Sequence, residues 1–355
     1  MRRKILLILI VLPLAAAGIF YWVTRPLPVL TVTTWPGAYG RAQAAALMRP
    51  YAAARRVDVH RAEYDGGLAD LSKAVTSHAY QGDVIDFELP DAIQACRQGL
   101  LEKIDPASLP PGDDGVPAAK DFVPGAIGPC WVGSIVYSQA IIFGNFAGPQ
   151  PQTLADFFDI AKFPGRRALR HGAKYNLEMA LLADGVAAKD VYPTLASEAG
   201  VARALKKLES LGPIVWWDAS SMAVALVKTG GAAMATALNQ DIYDARLSHV
   251  IWDKQLYELD VFGVPAGDPK KDTALDFVRF ATGSSPLAGV ASWVPHGPAR
   301  RSALALVGDN PELHTPMKPW LPTAHFDTAF AIDDAWWLAH GPALAARFDA
   351  WAQSH

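Results

Sequence analysis

The feature that most constrains this fold is a strand–loop–helix succession that occurs twice near the start of the chain. Residues 30–34 alternate and are rich in β-branched side chains, which favours a strand. A Pro-Gly pair ends that strand, and residues 41–56 have the composition of a helix. The second copy has a short strand at 84–85, an acidic loop and a helix that starts after Pro90. This alternation predicts an α/β fold with a parallel-type sheet.

Two large aromatic side chains flank the Pro-Gly pair after the first strand. Trp35 and Tyr39 therefore lie at the carboxyl end of a strand, where open α/β sheets place their ligands. The alternative is that both rings cap the hydrophobic core under the loop. The local pattern leaves both interpretations open.

The N-terminus carries a targeting signal. Arg2, Arg3 and Lys4 precede an uncharged apolar stretch over 5–23, and three alanines within it are the small residues that a signal peptidase needs. The stretch is also long enough to span a bilayer. Residues 1–24 are therefore predicted to be a secretory signal peptide or an anchor in the inner membrane, and the rest of the chain is predicted to be periplasmic.

The length and charge of the chain limit its architecture and its partners. A chain of 355 residues suits two lobes better than one core. The formal net charge of −3 and the lack of long basic runs argue against nucleic-acid binding. The nine histidines are scattered without the spacing of a Cys/His metal cluster, so we predict neither a metal site nor a cofactor.

The chain has two cysteines, Cys96 and Cys130. In an oxidising compartment such a pair is expected to form a disulfide. The alternative is a free Cys130 that acts as a nucleophile, since it precedes an apolar strand region that extends to residue 143. A disulfide would exclude that nucleophile.

Five stretches, in order along the chain, resemble a known family. They are TTWPGAYG, GDVIDFELPDAIQACRQGLLEKID, FPGRRALRHGAKYNLEMALLADGV, WWDASSMAVALVKTGGAAMATALN and LPTAHFDTAFAIDDAWW. This order resembles the extracellular solute-binding proteins of ABC importers, and most of all the branch that binds spermidine and putrescine. The resemblance covers residues 28–353.

This resemblance implies a type II-like periplasmic-binding-protein fold, with a ligand cleft between two lobes that hinge strands join. Lobe 1 is expected to comprise 28–135 and 264–325, and lobe 2 to comprise 136–263 and 326–355. The implied protein is a monomer and not an enzyme. It would capture a small molecule by hinge closure and deliver it to an ABC permease in the membrane.

The polyamine resemblance assigns a first group of ligand-binding residues. Known polyamine sites resemble an aromatic box with acidic ends, because ammonium groups favour carboxylates and π faces. Trp35 and Tyr39 match the aromatic part of that pattern, and Asp260 matches the carboxylate expected on a hinge strand. Asn239 ends a small-residue strand in the region where the family carries ligand contacts.

Other positions depart from the polyamine pattern. Tyr175 stands where the family has an acidic residue, Glu258 where it has an aromatic residue and His296 where it has a tyrosine. Asp86 and Glu88 replace its serine-rich second loop. The expected cleft stays acidic with a different layout, so we expect a small organic cation, either a polyamine or a related amine. Buried without a cation, these carboxylates would raise one another's pKa values.

Each assignment has a structural alternative. Asp86 could cap the next helix, Glu258 and Asp260 could pair with Lys254, and the other side chains could be core or solvated residues. For function, the alternatives are a same-fold enzyme that uses a cleft cysteine, a ferric-ion binder and a membrane-anchored sensor. The ten tyrosines are dispersed without the pair that ferric-ion sites use, which argues against iron.

Overall fold

The computed structural model describes residues 26–354. The predicted signal peptide or anchor over 1–24 lies outside these residues. Within the described part of the chain, no helix has both the length and the apolar character that crossing a membrane requires.

Ten strands of the described chain form one sheet. They are β1 (Val29–Thr34), β2 (Asp58–Glu63), β3 (Val84–Glu88), β4 (Val132–Phe143), β5 (Arg167–Arg170), β6 (Ile214–Trp217), β7 (Met234–Leu238), β8 (Val250–Gly263), β9 (Gly297–Pro298) and β10 (Phe330–Ala331). The order along the main path of the sheet is β2-β1-β3-β8-β4-β7-β5-β6, and β9 and β10 pair with β4 and β8.

The sheet has two parallel parts that long antiparallel strands join. β1 pairs in parallel with β2 and β3, and β5 pairs in parallel with β6 and β7. Between these parts, β8 runs antiparallel to β3 and β4, and β4 runs antiparallel to β7. β4 has 12 residues and β8 has 14, and we term this pair the crossing strands. Their length lets each of them belong to both parts of the sheet.

Helices pack against both parallel parts. They are α1 (Gly37–Gln43), α2 (Arg49–Arg55), α3 (Ala69–Ser77), α4 (Leu89–Arg97), α5 (Ala118–Asp121), α6 (Leu154–Phe158), α7 (Asn176–Ala183), α8 (Val191–Leu195), α9 (Glu198–Glu209), α10 (Ser221–Lys228), α11 (Asn239–Asp244), α12 (Lys271–Ala281), α13 (Ser284–Trp293), α14 (Ala303–Leu306) and α15 (Asp334–Ala352). A π-helical turn over Ala44–Met48 joins α1 to α2.

Separate groups of buried hydrophobic side chains account for the two lobes. One group surrounds β1 and β3 and includes Phe277 of α12. A second group includes Phe348 of α15 together with the buried apolar side chains of α7 and α9, and a smaller third group packs around α10. The crossing strands contribute to both lobes, since Val136 of β4 lies in the first group and Ile141 in the second. The predicted two-lobed α/β fold is confirmed.

The second strand differs from its prediction. β3 extends through Asp86 and Glu88, which the sequence placed in a loop, and α4 begins at Leu89. The reason is tertiary, because residues 85–88 pair with β8, which lies far away in the sequence.

The predicted disulfide between Cys96 and Cys130 is present. It ties the end of α4 to the segment that leads into β4. Neither sulfur is a free thiol in this structure.

Candidate functional site

Four carboxylates gather on one face of the sheet. Asp86 and Glu88 are two residues apart in β3, so both side chains point to the same face. Glu258 and Asp260 have the same spacing in β8. The antiparallel pairing of these strands sets Glu88 directly opposite Asp260. We term these four residues the carboxylate cluster, and it lies where the two lobes meet.

Asp86 lies at the buried bottom of the carboxylate cluster. Its carboxylate accepts hydrogen bonds from Gln43 Nε2 at 2.8 Å and from Ser134 Oγ at 3.0 Å. Burial raises the pKa of Asp86 to about 7, although these hydrogen bonds lower it. No side chain caps the N-terminus of α4, so the capping role considered for Asp86 is not realised.

Asp260 faces a cavity. It is 6% exposed and lines a space of about 180 Å³ together with Trp35, Tyr39, Tyr137 and His296. Its carboxylate has no hydrogen-bond or ion-pair partner among residues 26–354. Burial and the rest of the carboxylate cluster raise the pKa of Asp260 well above its ordinary range. A cationic group that enters this space would meet a carboxylate without a counter-ion.

Aromatic rings form the walls of the same cavity. Trp35, Tyr39, Tyr137 and His296 line it. Behind the lining, Trp35 packs against Tyr64 with ring centroids 5.1 Å apart, and Tyr39 meets His296 edge to face at 5.4 Å. Trp35 Nε1 and His296 Nδ1 are buried without a hydrogen-bond partner in the described chain. Burial lowers the pKa of His296 to about 4, so its ring is neutral at pH 7. These walls offer π faces to a cation without adding a competing positive charge.

A second cavity of about 460 Å³ adjoins the first. Glu88 and Tyr137 line both cavities, so the two form one cleft. Arg170, His171 and Lys174 line the second cavity. We term the cavity at Asp260 the acidic end of the cleft and the cavity at these three residues the basic end.

The cations of the basic end differ in their partners. The Arg170 guanidinium lies 5.9 Å from the Tyr175 ring and has no ion-pair partner within 26–354. Lys174 Nζ contacts Glu258 Oε1 and donates to Asp334 Oδ1 at 2.8 Å. Burial raises the pKa of Glu258 to about 8, while Lys174 acts to lower it. Only Arg170 of this pair is therefore left available for an anionic group.

The pairing with Lys254 considered from the sequence is not formed. Lys254 Nζ donates instead to the carbonyl of Leu182 at 3.1 Å. Glu258 takes its cation from the loop after β5, and Asp260 takes none from the described chain.

The residues predicted from the sequence surround this cleft. The acidic end is lined by Trp35, Tyr39, Glu88, Asn239, Asp260 and His296, the basic end by Glu88, Tyr175 and Glu258, and Asp86 lies next to Tyr39. Asn239 accepts from Ser138 N at 2.8 Å and donates to Pro295 O at 2.7 Å, so its amide holds the His296 segment against β4. Contact with a ligand stays a prediction for all of these residues.

Tyr175 has an uncommon backbone. Its φ of 72° lies in the left-handed region, which non-glycine residues seldom adopt. Its side chain is buried in the second lobe, as the core alternative for this residue requires. Its ring also lies 5.7 Å from Lys174 Nζ, so the strained residue adjoins the basic end. Such strain clusters at functional sites.

The cleft residues missed from the sequence include Arg170, Lys174 and Tyr137. Arg170 ends the short strand β5 and Lys174 lies in the loop after it, so recognition of that strand, with the rule that places ligands at the carboxyl ends of strands, would have found them. Tyr137 lies within the long apolar strand β4, where no local signal separates cleft residues from core residues.

Comparisons with known proteins agree with this architecture. Residues 46–316 match the family described as bacterial extracellular solute-binding protein. The γ-aminobutyric acid-binding protein of Pseudomonas aeruginosa is 36% identical over 329 residues, which are 91% of this chain and 90% of that protein.

Solved structures give the same picture. A γ-aminobutyric acid receptor is 27% identical over 92% of this chain and 98% of its own, with a TM-score of 0.71. MotA from A. tumefaciens B6, solved with glucopine, is 25% identical over 91% of this chain and 99% of its own, with a TM-score of 0.67. The spermidine/putrescine-binding protein PotD of Streptococcus pneumoniae is 12% identical with a TM-score of 0.69, so it shares the fold alone.

Proposed function

This chain belongs to the bacterial extracellular solute-binding proteins, and we propose that its solute is a small zwitterion with one ammonium group and one carboxylate group. γ-Aminobutyric acid, for which the similar Pseudomonas protein is named, is the best candidate. The chain is the solute-binding component of an ABC importer, as its relatives are. The observation that carries the proposal is an unpaired carboxylate and an unpaired guanidinium at opposite ends of one cleft.

The acidic end suits an ammonium group. Asp260 would give it a charge-assisted hydrogen bond, and Trp35 and Tyr39 would offer π faces beside it. Because Asp260 is already desolvated, a cation that reaches it gains more than it would from a carboxylate in water.

The basic end suits a carboxylate. Arg170 can bind a carboxylate with two parallel hydrogen bonds, and Lys174 adds positive potential beside it. The shared walls at Glu88 and Tyr137 would hold the methylene chain between the two charged groups.

A diamine is the second candidate, and it is the polyamine expectation drawn from the sequence. The carboxylate cluster favours it, because one ammonium group does not neutralise so many carboxylates. A diamine in the same pose, however, would set its second ammonium group beside Arg170 and Lys174. That repulsion is why we rank the zwitterion first.

The mechanism we propose is closure of the lobes around the solute. Lobe 1 (28–135 and 264–325) supplies Trp35, and lobe 2 (136–263 and 326–355) supplies Arg170. A ligand that contacts both lobes favours the closed form by its differential affinity for it. The closed protein would act as a periplasmic monomer that docks on a membrane permease. The disulfide supports binding over the cysteine-dependent enzyme considered from the sequence.

The test is calorimetric titration with four small molecules: γ-aminobutyric acid, n-butylamine, butyrate and putrescine. The first carries both charges, the next two carry one each, and putrescine replaces the carboxylate with a second ammonium group. We expect γ-aminobutyric acid to bind about 100-fold more tightly than either single-charge analogue, because each analogue lacks one of the two charge-assisted contacts. At about 100 times its Kd it should stabilise the fold by about 2.7 kcal/mol. Tighter binding of putrescine than of γ-aminobutyric acid would overturn the proposal.

A further inference from the structure

A three-residue ion cluster borders the basic end of the cleft. Lys174 comes from the loop after β5, Glu258 from a crossing strand and Asp334 from the N-terminus of α15. The lysine side chain is 29% exposed, whereas the Glu258 and Asp334 side chains are 4% and 1% exposed. The lysine therefore lies over two buried carboxylates, and of these Glu258 lines the cleft together with it.

Glu258 and Asp334 resemble a cation-binding site that is already occupied, with the ammonium group of Lys174 as the bound cation. Without Lys174, Glu258 and Asp334 would be two buried carboxylates with no cation among the described residues that contacts them. Such a pair strongly favours a positive partner. The side chain of a lysine ends in a primary alkylammonium group, which is the group that ends a diamine.

We propose that Lys174 is a tethered counter-ion that occupies the place of a second ligand ammonium group and so makes the cleft reject diamines. The inference rests on the proposed zwitterionic solute and names the residue that separates it from a diamine. Lys174 acts in two ways. It fills the Glu258–Asp334 site, and its charge repels any further ammonium group while it favours a carboxylate.

γ-Aminobutyric acid and putrescine are the matched probes. Both carry one primary ammonium group on a short methylene chain, and they differ in the charge at the other end. A residue that sets this choice should change the ratio of their Kd values, whereas a residue that only supports the fold should change both Kd values in the same direction.

The test compares Lys174→Met with the matched control Lys206→Met on the exposed face of α9. Methionine keeps an unbranched apolar side chain and removes the charge. We expect Lys174→Met to lower the ratio of putrescine Kd to γ-aminobutyric acid Kd at least tenfold, through both tighter putrescine binding and weaker γ-aminobutyric acid binding. Lys206→Met should leave the ratio unchanged.

A second variant protects the test against misfolding. Lys174→Met combined with Asp334→Asn keeps the net charge of the three positions at one negative and leaves Glu258 to receive an ammonium group. This double variant should also gain putrescine binding. If the wild-type protein binds γ-aminobutyric acid but neither variant binds putrescine more tightly than the wild type does, the inference is overturned. Wild-type protein that binds no γ-aminobutyric acid would instead overturn the proposed function.

Discussion

Glu258 and Asp260 lie two residues apart on the same face of β8, yet they have opposite electrostatic surroundings. Glu258 contacts Lys174, which lies in the loop after β5. Asp260 faces three other carboxylates and an aromatic cavity, and the described chain offers it no cation. The protein therefore supplies a cation to one of the two carboxylates and none, within residues 26–354, to the other, which we propose pairs with the ammonium group of the solute.

This difference has an energetic consequence for the unliganded protein. The pKa of Asp260 is raised in the folded state, so the folded state binds more protons than the unfolded chain between the two pKa values. The stability of the unliganded protein should therefore fall as pH rises from about 4 through the folded-state pKa. A cationic solute removes that cost when it binds.

Asp260→Asn is expected to have the largest effect on the difference between Glu258 and Asp260. We expect it to weaken binding of γ-aminobutyric acid by about 3 kcal/mol or more, because it removes the counter-ion of the ammonium group. At a pH above the raised pKa of Asp260, the same change should raise the melting temperature of the unliganded protein, since it removes an unpaired buried charge. Calorimetry and thermal melts measure the two effects. Asp327→Asn, at an exposed position, is the matched control, and a lowered melting temperature for Asp260→Asn would indicate a structural role instead.

The other end of the cleft is tested by Arg170→Met. We expect about 2 kcal/mol weaker binding of γ-aminobutyric acid, since the bidentate partner of the carboxylate is lost. Binding of n-butylamine, which has no carboxylate, should stay unchanged. Calorimetric titrations with γ-aminobutyric acid and n-butylamine measure both affinities, and the exposed Arg166→Met is the control. Equal losses for the two compounds would show that Arg170 supports the cleft and does not read the carboxylate.

Trp35→Ala tests the aromatic wall beside Asp260. Loss of the π face beside the ammonium group should weaken binding by about 1–2 kcal/mol. Trp35 is only partly buried, so the melting temperature of the unliganded protein should correspond to a stability change within about 1 kcal/mol. A large loss of unliganded stability would favour the core interpretation of this ring.

The smallest expected effect is a proton released on binding. An ammonium group beside Asp260 requires the ionised carboxylate, so binding at a pH below the raised pKa of Asp260 should release protons, and affinity should rise there by at most about tenfold per pH unit. Calorimetry in buffers of different ionisation enthalpy counts these protons. Asp260→Asn should release fewer, and proton uptake by the wild type would contradict the raised pKa.

Much of the fold followed from local patterns. The alternation of strands and helices predicted the α/β class, and two cysteines in an exported chain predicted the disulfide. The rule that ligands bind at the carboxyl ends of strands predicted that Trp35 and Tyr39 lie at the cleft, and both line it. The rule succeeded there because it depends only on where a strand ends. No strand was predicted from the sequence over 167–170, so the rule had no strand end to act on there, and Arg170 and Lys174 were missed.

The sequence by itself pointed to Trp35, Tyr39 and the carboxylate cluster as cleft residues, since strand ends follow from periodicity and chain-breaking residues. Arg170, Lys174 and Tyr137 were added by the tertiary structure. Only the tertiary structure decided which of those charges are paired. Lys174 lies 84 positions from Glu258 and 160 from Asp334, so no local pattern reports that contact. The register of β3 against β8, which sets Glu88 opposite Asp260, likewise arises from packing between distant segments.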